Sequence, residues 1–151
     1  MPLSETVSKT DLSRRTRQIV ERARRGHTLI VESYGEEQVA IMDVFDYRLL
    51  HAVAAYHTRP HPPDDTATSQ GLSERQMQSA IEHAGGDVQA GWDRVIAAYL
   101  DGDISLGRAA DLLELSRFEL RERFNRLNLP LRLGPADAEE ARAERDALRD
   151  R

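Results

Sequence analysis

The chain has no cysteine, so it has neither a disulfide framework nor a thiolate-held metal. Aromatic residues are scarce at 5%, while charged residues make up 31%. That balance argues against a large aromatic core and favours a helix-rich fold with long solvated faces. No apolar run approaches the length of a membrane span, and the opening MPLSETVSKTD lacks a basic-then-apolar leader pattern. A cytoplasmic protein without a membrane partner is the expectation. Nucleophile elbow, phosphate loop and zinc-protease motifs are all missing. The chain therefore reads as a non-enzyme that needs no cofactor.

What is present begins with length and charge. The 151 residues leave room for one ordinary domain or two very small ones. The formal charge of −5 seems to oppose nucleic-acid binding, but it is unevenly spread. Residues 8–25 carry seven basic groups against two acidic ones, net +5. Residues 59–92 are net −3, and residues 135–151 are net −2. A basic N-terminal helix in an acidic chain is the asymmetry that a function must use.

Ser8 followed by Asp11 is a helix-capping pattern. Leu12, Thr16, Ile19, Val20 and Ala23 then share a helical face as far as a stop at Gly26. The runs 28–33 and 39–44 flank Tyr34-Gly35-Glu36-Glu37 and read as a hairpin. A helix over about 45–56 follows, with Leu49, Leu50 and Val53 on its apolar side. So few strands bury little area, and dimerisation through the first sixty residues is expected on that ground. Residues 57–71, HTRPHPPDDTATSQG, have the proline and small polar content of a linker.

Beyond it, Ser73 with Gln76 predicts a capping box for a helix ending at Gly85-Gly86. A longer helix is predicted over 88–100, a short one opened by Ser105, and a last one opened by the Ser116–Glu119 box. The last two, joined by a tight turn at Glu114-Leu115, match helix-turn-helix spacing. The segment ADAEEARAERDALRDR has helical composition without an apolar stripe, as in a frayed helix or a disordered tail.

Residues 3–56 resemble the prevent-host-death (Phd/YefM) antitoxin family. The resemblance is carried by Glu5-Thr6-Val7-Ser8, the helix with Leu12, the Glu21…Arg25-Gly26 end, strand 28–32, Gly35, Gln38-Val39-Ala40-Ile41-Met42, and Phe45-Asp46-Tyr47-Arg48-Leu49-Leu50. It implies an N-terminal unit that dimerises and binds operator DNA, with a C-terminal segment that wraps a toxin. The hairpin turn, basic in that family, here reads Ser33-Tyr34-Gly35-Glu36-Glu37. Residues 72–133 are similar to a helical family found beside PIN-domain ribonuclease toxins, through Ala98–Leu113 (AYLDGDISLGRAADLL), then Leu115-Ser116 and Leu129-Pro130.

Two groups of side chains are candidates for DNA contact. Lys9, Arg14, Arg15 and Arg17 lie near a helix start, where guanidinium groups and backbone amides together attract phosphate. Arg117, Arg121 and Asn125 fall opposite Leu120, Phe124 and Leu127, where a recognition helix would meet base edges. The bland alternative for both is a solvated helix face. His57 and His61, beside Asp64 and Asp65, have metal-ligand spacing on a helix but stand in a proline-rich stretch that cannot hold it, so no metal is expected.

The sequence thus predicts an α+β chain. A Phd/YefM-like dimerisation and DNA-binding unit spans 1–58, a linker 59–71, a helix-turn-helix-like all-α unit 72–134, and a charged tail 135–151. The function expected is that of a type II antitoxin. It would neutralise a cognate protein toxin, a ribonuclease of PIN or similar type, and repress its own operon by binding operator DNA as a homodimer. A stand-alone transcriptional regulator using the same DNA surfaces is the alternative, and a metal enzyme built on the two histidines and two aspartates a third class.

Overall fold

A computed structural model of the protein describes residues 4–59 and 71–132, together with Asp146 and Arg149. The linker core, with His61, Asp64 and Asp65, and nearly all of the charged tail lie outside the described residues. The architecture is mixed α+β: a three-stranded sheet and seven helices among the described residues. No helix among them is long and apolar enough to cross a membrane.

Strand β1 (Ser4–Ser8) runs parallel to β2 (Thr28–Ser33), which pairs antiparallel with β3 (Glu36–Ile41). Between β1 and β2 the chain crosses over through α1 (Lys9–Arg14) and α2 (Thr16–Arg24). The sequence pattern predicts one helix here; the structure divides it at Arg15, where φ is −125°. Thr16 supplies a cause. Its hydroxyl donates to the Leu12 carbonyl at 2.6 Å, taking the acceptor that its own backbone N–H would use in a continuous helix. Gly26, at φ +100°, ends α2 as predicted. The hairpin is tighter than the sequence suggests. Tyr34 and Gly35 alone turn, both at positive φ, and β3 starts at Glu36.

This part of the molecule has a very small core. Ile19, Ala23 and Leu29 are buried, with Val7, Leu12 and Ile41 packed around them. Strand β3 is exposed along most of its length, and Val39 is 55% exposed.

The second core is much larger. Helix α3 (Val44–Thr58) is capped by Asp43, whose carboxylate accepts from the Phe45 N–H at 2.9 Å. Leu49, Ala52 and Val53 of α3 are buried with Trp92, Val95, Ile96 and Tyr99 of α5 (Val88–Leu100). Helix α4 (Glu74–His83), opened by the Ser73–Gln76 capping box, lies across α5. Gly91 permits the approach: a Cβ there would stand 2.8 Å from Ile81 Cδ1. Helices α6 (Leu106–Leu112) and α7 (Arg117–Arg126) close the core with Leu106, Ala109, Leu120 and Phe124. Phe124 meets Tyr99 edge-on at 5.6 Å between ring centres. The Tyr99 hydroxyl donates to the Arg132 carbonyl at 2.6 Å, fastening the segment after α7. Sequence patterning groups α3 with the N-terminal unit, whereas packing groups it with α5, α6 and α7. Its apolar face has no counterpart large enough among the short strands.

Candidate nucleic-acid interface

Of the seven residues predicted to touch DNA, six are exposed and Arg117 is half-buried. Lys9 opens α1, Arg14 ends it, Arg15 is the break, and Arg17 lies in the first turn of α2. All four are exposed. Among the described residues none of the four makes an ion pair or a side-chain hydrogen bond. The break concentrates three guanidinium groups within four positions, at the point where α2 begins and its first N–H groups lack helical partners.

The remaining arginines of α2 and its end are already engaged. Arg22 Nη1 donates to Glu5 Oε1 at 2.6 Å, and the second nitrogen of the fork meets Glu5 Oε2. This bidentate pair ties α2 to β1. Arg24 and Arg25 stand 3.8 and 3.7 Å from Glu21 in exposed pairs of little energetic weight. An open groove of about 780 Å³ follows Arg17, Gln18, Glu21, Arg22 and Arg25 along α2. Of its arginines, Arg17 has no ion pair among the described residues, while Arg22 is held by Glu5.

On α7, Arg121 and Asn125 are exposed, while Arg117 is half-buried and has an interaction of its own. Glu119 does fold back to its cap: the Ser116 N–H donates to Glu119 Oε2 at 2.8 Å, and Ser116 Oγ accepts from the Glu119 N–H at 3.0 Å. Phe118 stands between the candidate base-reading groups, 70% exposed.

Four residues absent from the sequence-based set form a densely bonded cluster among the described residues. Arg123 Nη1 donates to Asp43 Oδ1 at 2.6 Å and to Asp46 Oδ1 at 2.7 Å. Arg126 Nη2 donates to both Asp46 oxygens at 2.7 Å. The Asp46 side chain is only 4% exposed. Arg123 also lies over the Phe45 ring, 5.3 Å from its centre, and Phe45 in turn stacks on Trp92 at 5.6 Å. The Nε of Arg123 is buried without a partner among the described residues. The cluster fastens the last two turns of α7 to the start of α3, leaving Phe118, Glu119, Arg121, Glu122 and Asn125 exposed and Arg117 half-buried. The available signal was local: Asp43 is a helix cap, and Arg123 and Arg126 share one face of α7. Nothing in the spacing pairs groups about eighty positions apart.

His57 is exposed near the end of α3. Among the described residues no cluster of His, Asp and Glu has the composition of a metal site. Compared with known proteins, the chain matches no family model, no curated protein and no solved structure.

Proposed function

We propose that this protein is the antitoxin of a type II toxin–antitoxin pair, in which a homodimer binds operator DNA and each chain neutralises a cognate protein toxin of ribonuclease type. The observation that carries the DNA half is the unpaired Arg14, Arg15 and Arg17 set around the α1–α2 break. Three exposed guanidinium groups within four positions, in a stretch of net +5, concentrate positive potential where phosphate would bind. The order strand, helix, hairpin, helix over residues 4–58 agrees with the Phd/YefM resemblance of that segment.

Dimerisation has independent support in the small core under the sheet and in the exposed β3 strand. The open edge of a strand of this length is normally covered or paired. The acidic balance of residues 59–92 suits a toxin whose RNA path is basic.

The decisive experiment is co-expression with the product of the adjoining reading frame. Growth arrest by that product alone, relieved by the full chain, is the expected result. Specific DNA binding without any relief of growth would leave the stand-alone regulator instead.

A further inference from the structure

A cleft of about 470 Å³ opens between α4, α5 and the turn that joins α6 to α7. Phe45, Met77, Ile81, Val88 and Trp92 form its apolar part, with Gln78 beside them. Two of them are far from buried, Val88 at 48% exposed and Phe45 at 39%. Its rim is acidic, with Glu74, Asp111 and Glu114, and no lysine or arginine lines it. A second cleft, of about 530 Å³, also touches Phe45 and is lined by Val20 and Val44, at 47% and 53% exposed, and by Arg24 and Arg123. Phe45 lines both, but the acidic rim belongs to the first cleft alone, and that cleft is the trench with an apolar floor.

We infer that this trench docks a basic amphipathic segment of a partner protein, which, on the antitoxin reading above, is the toxin. Charge decides the occupant. Three carboxylates around an apolar floor repel phosphate, which excludes nucleic acid, and favour lysine or arginine flanking an apolar stripe. The chain's own residues 135–151 carry six acidic groups against four basic ones and lack both the charge and the stripe. A trench with apolar walls and polar edges is the form that receives a helix by its i, i+3, i+4 and i+7 anchors. Exposed apolar groups gathered in one concavity, rather than scattered singly, are what such a surface requires.

The chain reports on its own cleft, because Trp92 is its single tryptophan and lines the wall. The probe is a synthetic amphipathic helix of roughly four turns, leucines on one face and lysines on the other, with a counterpart carrying glutamates. Titrated into the full chain at about 0.1 M salt, the lysine peptide should shift Trp92 emission saturably and the glutamate peptide should not. Asp111→Lys with Glu114→Lys should weaken the lysine peptide about tenfold. The matched reversals Glu36→Lys with Glu122→Lys, outside the trench, should leave its affinity within about twofold.

Equal shifts with both peptides, or none with either, would overturn the inference. So would emission that depends on protein concentration without peptide, which would make a second copy the occupant. The comparison of peptides on the unaltered chain stands even if the double reversal impairs folding. Growth relief separates this idea from the functional reading. If the full chain relieves growth and Asp111→Lys with Glu114→Lys, folded by circular dichroism, relieves it equally, the trench is not where the toxin docks. If the lysine peptide binds and no relief is seen with any chain, the trench stands and the antitoxin reading falls.

Discussion

Asp46, at the start of α3, holds Arg126, at the end of α7, through two hydrogen bonds of 2.7 Å that span 80 positions of sequence. The same guanidinium rests on Gly26, where a Cβ would stand 2.6 Å from its Nη1. One arginine therefore touches the end of α2, the start of α3 and, through its own backbone, α7. The helix pair that carries the candidate DNA contacts and the helix-turn-helix-like pair are joined by this contact.

Asp46→Ala should lower stability by about 3–5 kcal/mol, because it leaves the partly buried Arg126 without a counter-charge and Arg123 with Asp43 alone. Asp46→Asn should lose less, since its amide oxygen still accepts one bond. Urea unfolding of the full chain measures both. A loss under about 1 kcal/mol for the alanine variant would show that the arginines simply swing out to water.

Two glycine substitutions should differ for a physical reason. Gly91→Ala presses on the tips of Ile81 and Met77, which can rotate away, so a cost of about 1 kcal/mol is expected, at the low end for overpacking. Gly26→Ala meets the Arg126 guanidinium and also sits at φ +100°, where an L side chain is strained, so about 2 kcal/mol or more should be lost. Thermal unfolding should rank Gly26→Ala below Gly91→Ala.

Replacing Arg14, Arg15 and Arg17 together by alanine should weaken DNA binding for all sequences. If each touches one phosphate, the slope of log K against log salt should fall in magnitude by roughly 2.7, about 0.9 per contact. Arg121→Ala should instead relax preference at one base position by about 1–3 kcal/mol, if α7 reads bases. Binding isotherms at several salt concentrations separate the two outcomes.

Val39 on β3 is 55% exposed, so a lysine there reaches water in a monomer. Val39→Lys should therefore convert a dimer held by the sheet into monomer, weakening association at least tenfold, about 1.4 kcal/mol. Sedimentation of the full chain is the measurement, because a fragment ending at residue 58 would expose Leu49, Ala52 and Val53 of α3. A dimer unaltered by the lysine would place the interface elsewhere.

Tyr56 is held above its ordinary pKa of 10.0 by burial first and then by its hydrogen bond to Asp101, at 2.9 Å. Both favour the neutral phenol in the folded chain. Its contribution to stability is therefore complete below the unfolded pKa and is lost as pH rises through the higher folded value. Tyr56→Phe should remove that alkaline loss, which is read by following unfolding from neutral to strongly alkaline pH.

Local chemistry made much of this chain legible without its fold. Ser73 with Gln76 and Ser116 with Glu119 announce their helices because a capping box is complete within four residues. The stop at Gly26 is readable for a similar reason, since glycine adopts positive φ freely, whereas the two-residue turn that holds Tyr34 at φ 53° is not. The exposed positions of Lys9, Arg14, Arg15 and Arg17 follow from helical periodicity around Leu12 and Ile19. The break at Arg15 was within reach but ambiguous, since a threonine hydroxyl either turns to the backbone or faces water. Tertiary structure alone decided where α3 belongs. An apolar stripe states that a helix must be covered, not by what, and the larger partner surface lay on α5. It also decided which arginines remain available. Arg22, Arg123 and Arg126 look like their neighbours in sequence, and only the folded chain brings Glu5, Asp43 and Asp46 within bonding distance of them.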